Sequence, residues 1–383
     1  MEDRFTMLAR VLPGWFDGCH RDLPWRRDRE PYHVWLSEVM LQQTRVEAVR
    51  GYFIRFLEAL PTIAALAAAE PDALHKLWEG LGYYSRVRNL QKAAQIIMAE
   101  HGGVFPREYE AIRALPGIGD YTAGAVASIC FELPTPAVDG NVLRVVSRVE
   151  ASFEPITHPR VKKEMARRLA AVYPAGRCGA FTQSLMELGA TVCLPNGTPR
   201  CGECPCQPFC AGCRDGVAAQ LPVREPKKAR RLEEKTVFLL RCGARYGLIK
   251  RPGKGLLAGL WAFPNVEGFL TPQQAVDQAA CWGAAPEGVE RCVEREHIFT
   301  HVRWALRCYH LSCRVPCPPF VWVTGEELER DYALPTAFRQ FWEGSGPSES
   351  SSAGGFPEPG RGTSSSGNPS PSSDGTSPSK VSM

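Results

Sequence analysis

LPGIGDYTAGAVAS (115–128) is the stretch on which the fold turns. Leu115, Pro116, Gly117, Ile118 and Gly119 separate two segments with helical signals. The first carries Tyr109, Ile112 and Ala114; the second runs from Tyr121 through Ser128. Two glycines let the backbone turn tightly, and the missing side chains allow close approach. The first N–H groups of the second helix lack partners within it, so the turn offers an anion site that a nucleic-acid phosphate would fit. Pro-Gly also occurs in plain turns, but the full LPGIGxYTA pattern favours a helix–hairpin–helix.

Helical spacing continues upstream. Val34, Trp35, Val39 and Leu41, then Val46, Val49, Tyr52, Phe53, Phe56 and Leu57, recur at helical intervals. Breakers fall at Pro61, Pro71, Gly80-Leu81-Gly82, Gly102-Gly103 and Pro106. Glu38 lies within this apolar pattern, on the face of Val34, Trp35 and Leu41. Desolvation there disfavours the anion and raises the carboxyl's pKa, the condition for a general acid at neutral pH. A partly exposed Glu with a packed stem would read the same way.

Downstream, Asp139 in TPAVDGNVLRVVSRV precedes another helical stretch. It reads first as an N-cap, and helix-terminal N–H donors are expected to keep it ionised. A neutral acid beside a persistent anion is a pairing that cleaves glycosidic bonds through an oxocarbenium-like transition state.

The run CLPNGTPRCGECPCQPFC places Cys193, Cys201, Cys204 and Cys210 at intervals of seven, two and five residues. Fifteen cysteines in all, an odd number, with six between 193 and 213, argue for metal and against a disulfide framework. Four thiolates suit zinc or an iron–sulfur cluster, and spacing does not choose between them. Cys206 and Cys213 are spare thiols that could substitute.

The 383 residues suggest two or three domains. Apolar residues at 44% and charged residues at 22% exclude wholesale disorder and collagen-like repetition. No apolar run approaches the ~18 residues that span a bilayer. With no signal peptide evident, the expectation is an intracellular, soluble protein. The net charge of +4 is too mild to prove a polyanion partner. Its distribution is uneven, with basic clusters at Arg160–Arg168 and at Arg224–Arg231 (REPKKARR). Residues 1–215 read as helical, 216–234 as a basic linker, and 235–343 as a smaller α+β domain. In the last, TVFLLRC, GLIKRP, HIFTHVRWALRCYHLSC and FVWVT read as strands and Thr271–Trp282 as a helix. Residues 344–383 hold 14 Ser, 8 Gly and 6 Pro, and read as a disordered tail.

Taken together, RDLPWR (21–26), WLSEVMLQQTRV (35–46), WEGLGYYSRVRNL (78–90), the hairpin, VDGNV (138–142), FTQSLMELGATVC (181–193), the cysteine run and FTH (299–301) resemble the helix–hairpin–helix DNA glycosylases. Within these, the similarity is to the adenine DNA glycosylases, the MutY family, over about residues 1–343. The resemblance implies two helical lobes, one with the hairpin and one with a 4Fe-4S cluster on the four cysteines, then a Nudix-like domain. It implies a monofunctional enzyme of base excision repair that flips out and excises adenine mispaired with 8-oxoguanine or guanine in double-stranded DNA. Such an enzyme is expected in the cytoplasm, on DNA, as a monomer with no membrane partner.

By the same resemblance Glu38 protonates the adenine, Asp139 stabilises the sugar cation, and Tyr121 and Asn141 support Asp139. Arg21, Arg26 and Gln183 line the adenine pocket, Gln43 and Tyr83 wedge into the base stack, and Phe299, Thr300 and His301 read 8-oxoguanine. Several positions depart from the pattern. The first cysteine interval has seven residues where six is common, Leu143 stands where some members have Lys, and Thr300 where Ser is frequent. The second domain lacks the acidic helix with which a Nudix hydrolase holds magnesium. Two alternatives stay in view. An endonuclease III-like bifunctional glycosylase for oxidised pyrimidines would carry a Schiff-base Lys where Tyr121 stands. A non-enzymatic iron–sulfur DNA-binding protein would leave Glu38 and Asp139 without purpose.

Overall fold

The computed structural model describes residues 2–226 and 229–342. The tail 344–383 and part of the basic linker, Lys227 and Lys228, lie outside the described residues. The chain forms α1 (Arg4–Cys19), α2 (Pro31–Leu41), α3 (Val46–Ala59), α4 (Ile63–Ala68), α5 (Pro71–Leu77) and α6 (Ser85–Glu100). It continues with α7 (Tyr109–Ala114), α8 (Asp120–Phe131), α9 (Gly140–Glu150), α10 (Pro159–Ala170), α11 (Cys178–Thr191) and α12 (Ala211–Arg214). Most of the anticipated breakers fall between helices. Pro71 instead opens α5, since a helix's first residue needs no N–H partner.

Two apolar cores divide these helices. Val34, Trp35, Phe53, Phe56, Trp78, Val87, Leu90, Ile112 and Val126 fill one, built from α2 to α8. Phe5, Leu8, Leu12, Val142, Val146, Phe181 and Leu188, from α1, α9 and α11, fill the other, and Cys206 and Cys210 pack into it. Met186 of α11 touches both cores, so the lobes meet along that helix. Within the second lobe α11 also approaches α9 closely at Gly189, where a Cβ would sit 2.6 Å from Cβ of Asn141.

The C-terminal domain has strands β1 (Arg231–Cys242), β2 (Arg245–Lys250), β3 (Trp261–Ala262), β4 (Asn265–Glu267), β5 (Pro286–Ile298), β6 (Val302–Cys313) and β7 (Val321–Thr324). Its helices are α13 (Pro272–Cys281), α14 (Gly325–Asp331) and α15 (Thr336–Arg339). The sheet order is β3-β2-β1-β6-β5, with β4 on β1 and β7 on β2; β1 and β6 run parallel. The apolar run of β1 is covered on both faces. Val237 and Leu239 join Leu328 of α14 and Phe338 of α15, while Phe238 and Leu240 join Ala275 and Ala279 of α13.

Two boundaries differ from the sequence reading. β1 begins at Arg231, inside the stretch read as linker, because Arg231–Glu234 extend the parallel pairing with Val302–Ala305. HIFTHVRWALRCYHLSC is not continuous strand: Phe299–His301 form the turn between β5 and β6, closed by Phe299 N–H to Val302 O at 2.8 Å. α13 contains a single acid, Asp277. Among the described residues no helix is long and apolar enough to cross a membrane.

Candidate active site

α2 starts at Pro31, whose fixed φ suits a first helical residue, and buries Val34, Trp35, Val39 and Met40. Glu38 is buried with them, at 6% exposure. Burial raises its carboxyl from the ordinary 4.5 to about 7. A hydrogen bond from Tyr121 pulls it down, the Asp139 charge pushes it up, and Arg26 pulls it down.

Asp139 caps α9. Its Oδ1 accepts from Val142 N–H at 2.8 Å, and its Oδ2 from Asn141 Nδ2 at 2.6 Å. Both bonds favour the ionised form, as expected of a cap, but burial acts against them. Desolvation raises Asp139 above its ordinary value, against these bonds and the Arg144 charge, so both carboxyls shift upward, Glu38 to about 7. A correction concerns Tyr121. Its hydroxyl donates to Glu38 Oε2 at 2.5 Å, not to Asp139, because the first turn of α8 faces α2. Asn141 does hold Asp139, and Arg144 holds Asn141 through Oδ1 at 2.9 Å. Arg144 Nε also donates to Cys193 O, tying this end of the site to the cysteine loop.

Glu38, Asp139, Tyr121, Asn141, Arg21, Arg26 and Gln183 line one cavity of about 180 Å³ between the lobes. Both arginines spend their heads on Glu187, which the sequence reading did not single out. Arg21 donates from Nε and Nη2 at 2.8 and 2.9 Å, and Arg26 from Nη2 at 2.8 Å. Burial alone would raise Glu187; the Arg21 and Arg26 bonds outweigh it and hold the carboxyl at about 2. The only sequence signal was a carboxylate in the mainly apolar run FTQSLMELGA.

A second cleft, of about 590 Å³, opens between the helical lobes and the C-terminal domain. Gln43, Tyr83, Phe299, Thr300 and His301 line it together. Tyr83, 47% exposed, shares a 2.6 Å hydrogen bond with Thr300. Gln43 and Tyr83 sit at φ 62° and 47°, left-handed conformations that non-glycine residues rarely adopt and that concentrate at functional sites. Arg86, buried and also unmarked by the sequence, joins the two loops. Its guanidinium donates to the carbonyls of Val39, Met40 and Gln42 on one side and of Leu81 and Gly82 on the other. Three of those five carbonyls lie at the end of Glu38's helix or just beyond it, where they need donors.

The hairpin falls where expected. Leu115 caps α7, Gly119 caps α8, and Gly117 turns at φ 78°, where a Cβ would lie 2.6 Å from Cβ of Asn89. Gly117 and Gly119 are exposed.

Cys193, Cys201, Cys204, Cys206, Cys210 and Cys213 all line one small cavity at the end of α9 and α11. Arg148 donates to Cys193 Sγ at 3.2 Å. Among the described residues, no three His, Cys, Asp or Glu side chains converge closely enough to hold a metal ion as they stand. The donor set is nevertheless all thiol, with a cation alongside, which fits a soft metal or an iron–sulfur cluster.

Residues 36–171 match the HhH-GPD superfamily of base excision DNA repair proteins, and residues 236–344 match the NUDIX domain. An adenine DNA glycosylase of Rattus norvegicus is 35% identical, with 88% of this chain and 77% of that protein aligned. One of Schizosaccharomyces pombe is 34% identical over 82% of this chain and 84% of its own length. Among solved structures, a thermostable thymine-DNA glycosylase superposes with a TM-score of 0.51 at 25% identity, over 55% of this chain and 97% of that one. With identity of this order sustained over most of both sequences, the chain belongs to the adenine DNA glycosylase family.

Proposed function

We propose that the protein excises adenine paired with 8-oxoguanine or guanine in duplex DNA, by hydrolysing the N-glycosidic bond without a lyase step. The observation that carries this is the shared cavity of Glu38 and Asp139, with Glu38 near neutrality and Tyr121 where a Schiff-base Lys would otherwise stand. A base stacked in a duplex is out of reach of a buried carboxyl, so the adenine must be extruded, which costs a few kcal/mol. Gln43 and Tyr83 fill the vacated stack, and Phe299, Thr300 and His301 face the opposite base. The hairpin at 115–119, exposed at Gly117 and Gly119, grips a phosphate with its backbone.

In the cavity, Glu38 in its acid form gives its proton to N7 of adenine. The C1′–N9 bond breaks, its electron pair leaves with the base, and positive charge develops on the sugar. Asp139 meets that charge, by electrostatics or through a transient bond to C1′. The Glu38 carboxylate then takes a proton from water as the water oxygen bonds to C1′. The products are free adenine and an abasic site, and Glu38 is protonated again. Arg21, Arg26 and Gln183 shape the adenine pocket, with Glu187 fixing both guanidiniums.

We assign Cys193, Cys201, Cys204 and Cys210 as the ligands of a 4Fe-4S cluster, which would cross-link the loop after α11. Metal analysis is expected to find about four iron atoms per chain; zinc in stoichiometric amount would overturn the assignment.

The test of function uses duplexes with adenine opposite 8-oxoguanine, guanine or thymine. Release is expected from the first two, fastest from the first, and little from the third. Borohydride should trap no covalent complex; strong trapping would transfer the protein to the lyase class. Tyr121→Phe provides a finer check. Its lost hydrogen bond favoured ionised Glu38, so the alkaline limb of the pH–rate profile should move to higher pH. A limb that stays in place would separate Tyr121 from the acid.

A further inference from the structure

We propose that Glu79 is a positioning residue: through it the C-terminal domain holds the Tyr83 loop and sets how strongly excision depends on the base opposite the adenine. The proposal rests on the reading above that residues 299–301 face that base.

Glu79 follows α5, and its side chain is 15% exposed. Its carboxylate takes three donors. Oε2 accepts from Lys76 Nζ at 2.6 Å; Oε1 accepts from Leu334 N–H at 3.0 Å and from Arg339 Nη1 at 3.1 Å. The last two belong to the C-terminal domain. Lys76 extends the tie to Tyr332 O at 3.3 Å. A largely shielded carboxylate held by charged and backbone donors is stronger than an exposed ion pair, and removing its charge weakens every one of these bonds.

The backbone from Glu79 to Tyr83 has little freedom to absorb a shift. Tyr52 Oη donates to Glu79 O at 2.7 Å, and Trp78 Nε1 to Gly82 O at 3.0 Å. Gly80 turns at φ 95°, and a Cβ there would lie 2.2 Å from the Tyr52 hydroxyl. At the far end Tyr83 bonds Thr300. Between Leu334 and Arg339, residues Pro335, Thr336 and Ala337 line the same cleft as Tyr83. The C-terminal domain therefore grips this short loop at both ends, and a change in its seating on the opposite base reaches Tyr83 from two sides. A second interdomain pair, Lys250 with Asp72 at 2.9 Å, joins the first turn of α5 instead and supplies a control.

Single-turnover excision from adenine opposite 8-oxoguanine and opposite guanine tests this in the full chain. Glu79→Gln keeps the shape and can still accept from Leu334 N–H. It and Arg339→Gln should each lower the ratio of the two rates roughly three- to tenfold, chiefly by slowing the 8-oxoguanine duplex. The double variant should lose no more than the worse single, since both cut one connection. Lys250→Gln should leave the ratio unchanged. Equal slowing on both duplexes, additive losses, a like loss in Lys250→Gln, or a wild-type protein indifferent to the opposite base would each overturn the proposal. If the wild-type protein excises adenine from neither duplex, the functional reading fails separately. Amide exchange at residues 80–84 then decides the coupling: it should quicken in Glu79→Gln and not in Lys250→Gln, and no change refutes it.

Discussion

Glu38→Gln should bind the mispaired duplex as the wild-type protein does and release adenine roughly 100- to 10,000-fold more slowly, the usual worth of a positioned general acid. Gln fills the same volume but has no proton of useful acidity to give. Unchanged release would remove Glu38 from the chemistry. The wild-type rate should also fall as pH rises through about 7, where the carboxyl loses its proton. Stability follows the same titration. Because burial lifts the group from 4.5 to about 7, the folded protein holds a proton that the unfolded chain has released in that window. The contribution is fully present below 4.5 and is lost as pH rises through 7. Glu38→Gln does not titrate, so relative to wild type it should gain roughly 2–3 kcal/mol between pH 5 and pH 8. Denaturation midpoints at the two pH values measure it, and a difference independent of pH would contradict a buried, titrating Glu38.

Asp139→Asn is expected to lower the rate roughly 100- to 1,000-fold, in the range seen when a preorganised electrostatic partner of the transition state is removed. Asn is as good an N-cap as Asp, so the bond to Val142 N–H can persist. The bond from Asn141 Nδ2 would be lost, at about 1 kcal/mol. Activity should thus collapse while the melting temperature shifts little. Parallel loss of both would assign Asp139 to the fold alone.

The parts of this protein that could be read from its letters are those whose causes are local. The hairpin is dictated by Pro116, Gly117 and Gly119 within one short turn. Glu38 stands out because its helical neighbours are apolar, and Asp139 because the helix it caps begins at the next residue. What could not be read depends on distant partners. Glu187 is matched to Arg21 across 166 residues and Glu79 to Arg339 across 260. No local pattern distinguishes Arg86, which is buried, from Arg88 two positions on. The upward shift of Asp139 depends on distant partners in the same way. Its capping bonds are visible in the sequence, but the packing of the other lobe, with Glu38 and Tyr121, against it is not. Around Phe299–His301, aromatic and β-branched residues stand on both sides of the turn, so composition carried no mark of where the strand stops.

Arg86 leaves the site vulnerable in an uneven way. Beside a 3.5 Å bond to the Thr44 hydroxyl, five of its bonds toward Glu38's helix and the Tyr83 loop end on main-chain oxygens. Such acceptors exist whatever side chain the position bears, so Val39, Met40, Gln42 and Leu81 can vary without removing them. The staple itself has no such redundancy: a lysine, with three donors on a single nitrogen, cannot span five acceptors on two loops. The joint between Glu38's helix and the Tyr83 loop thus depends on the identity of one side chain, while the backbone it fastens can carry varied residues.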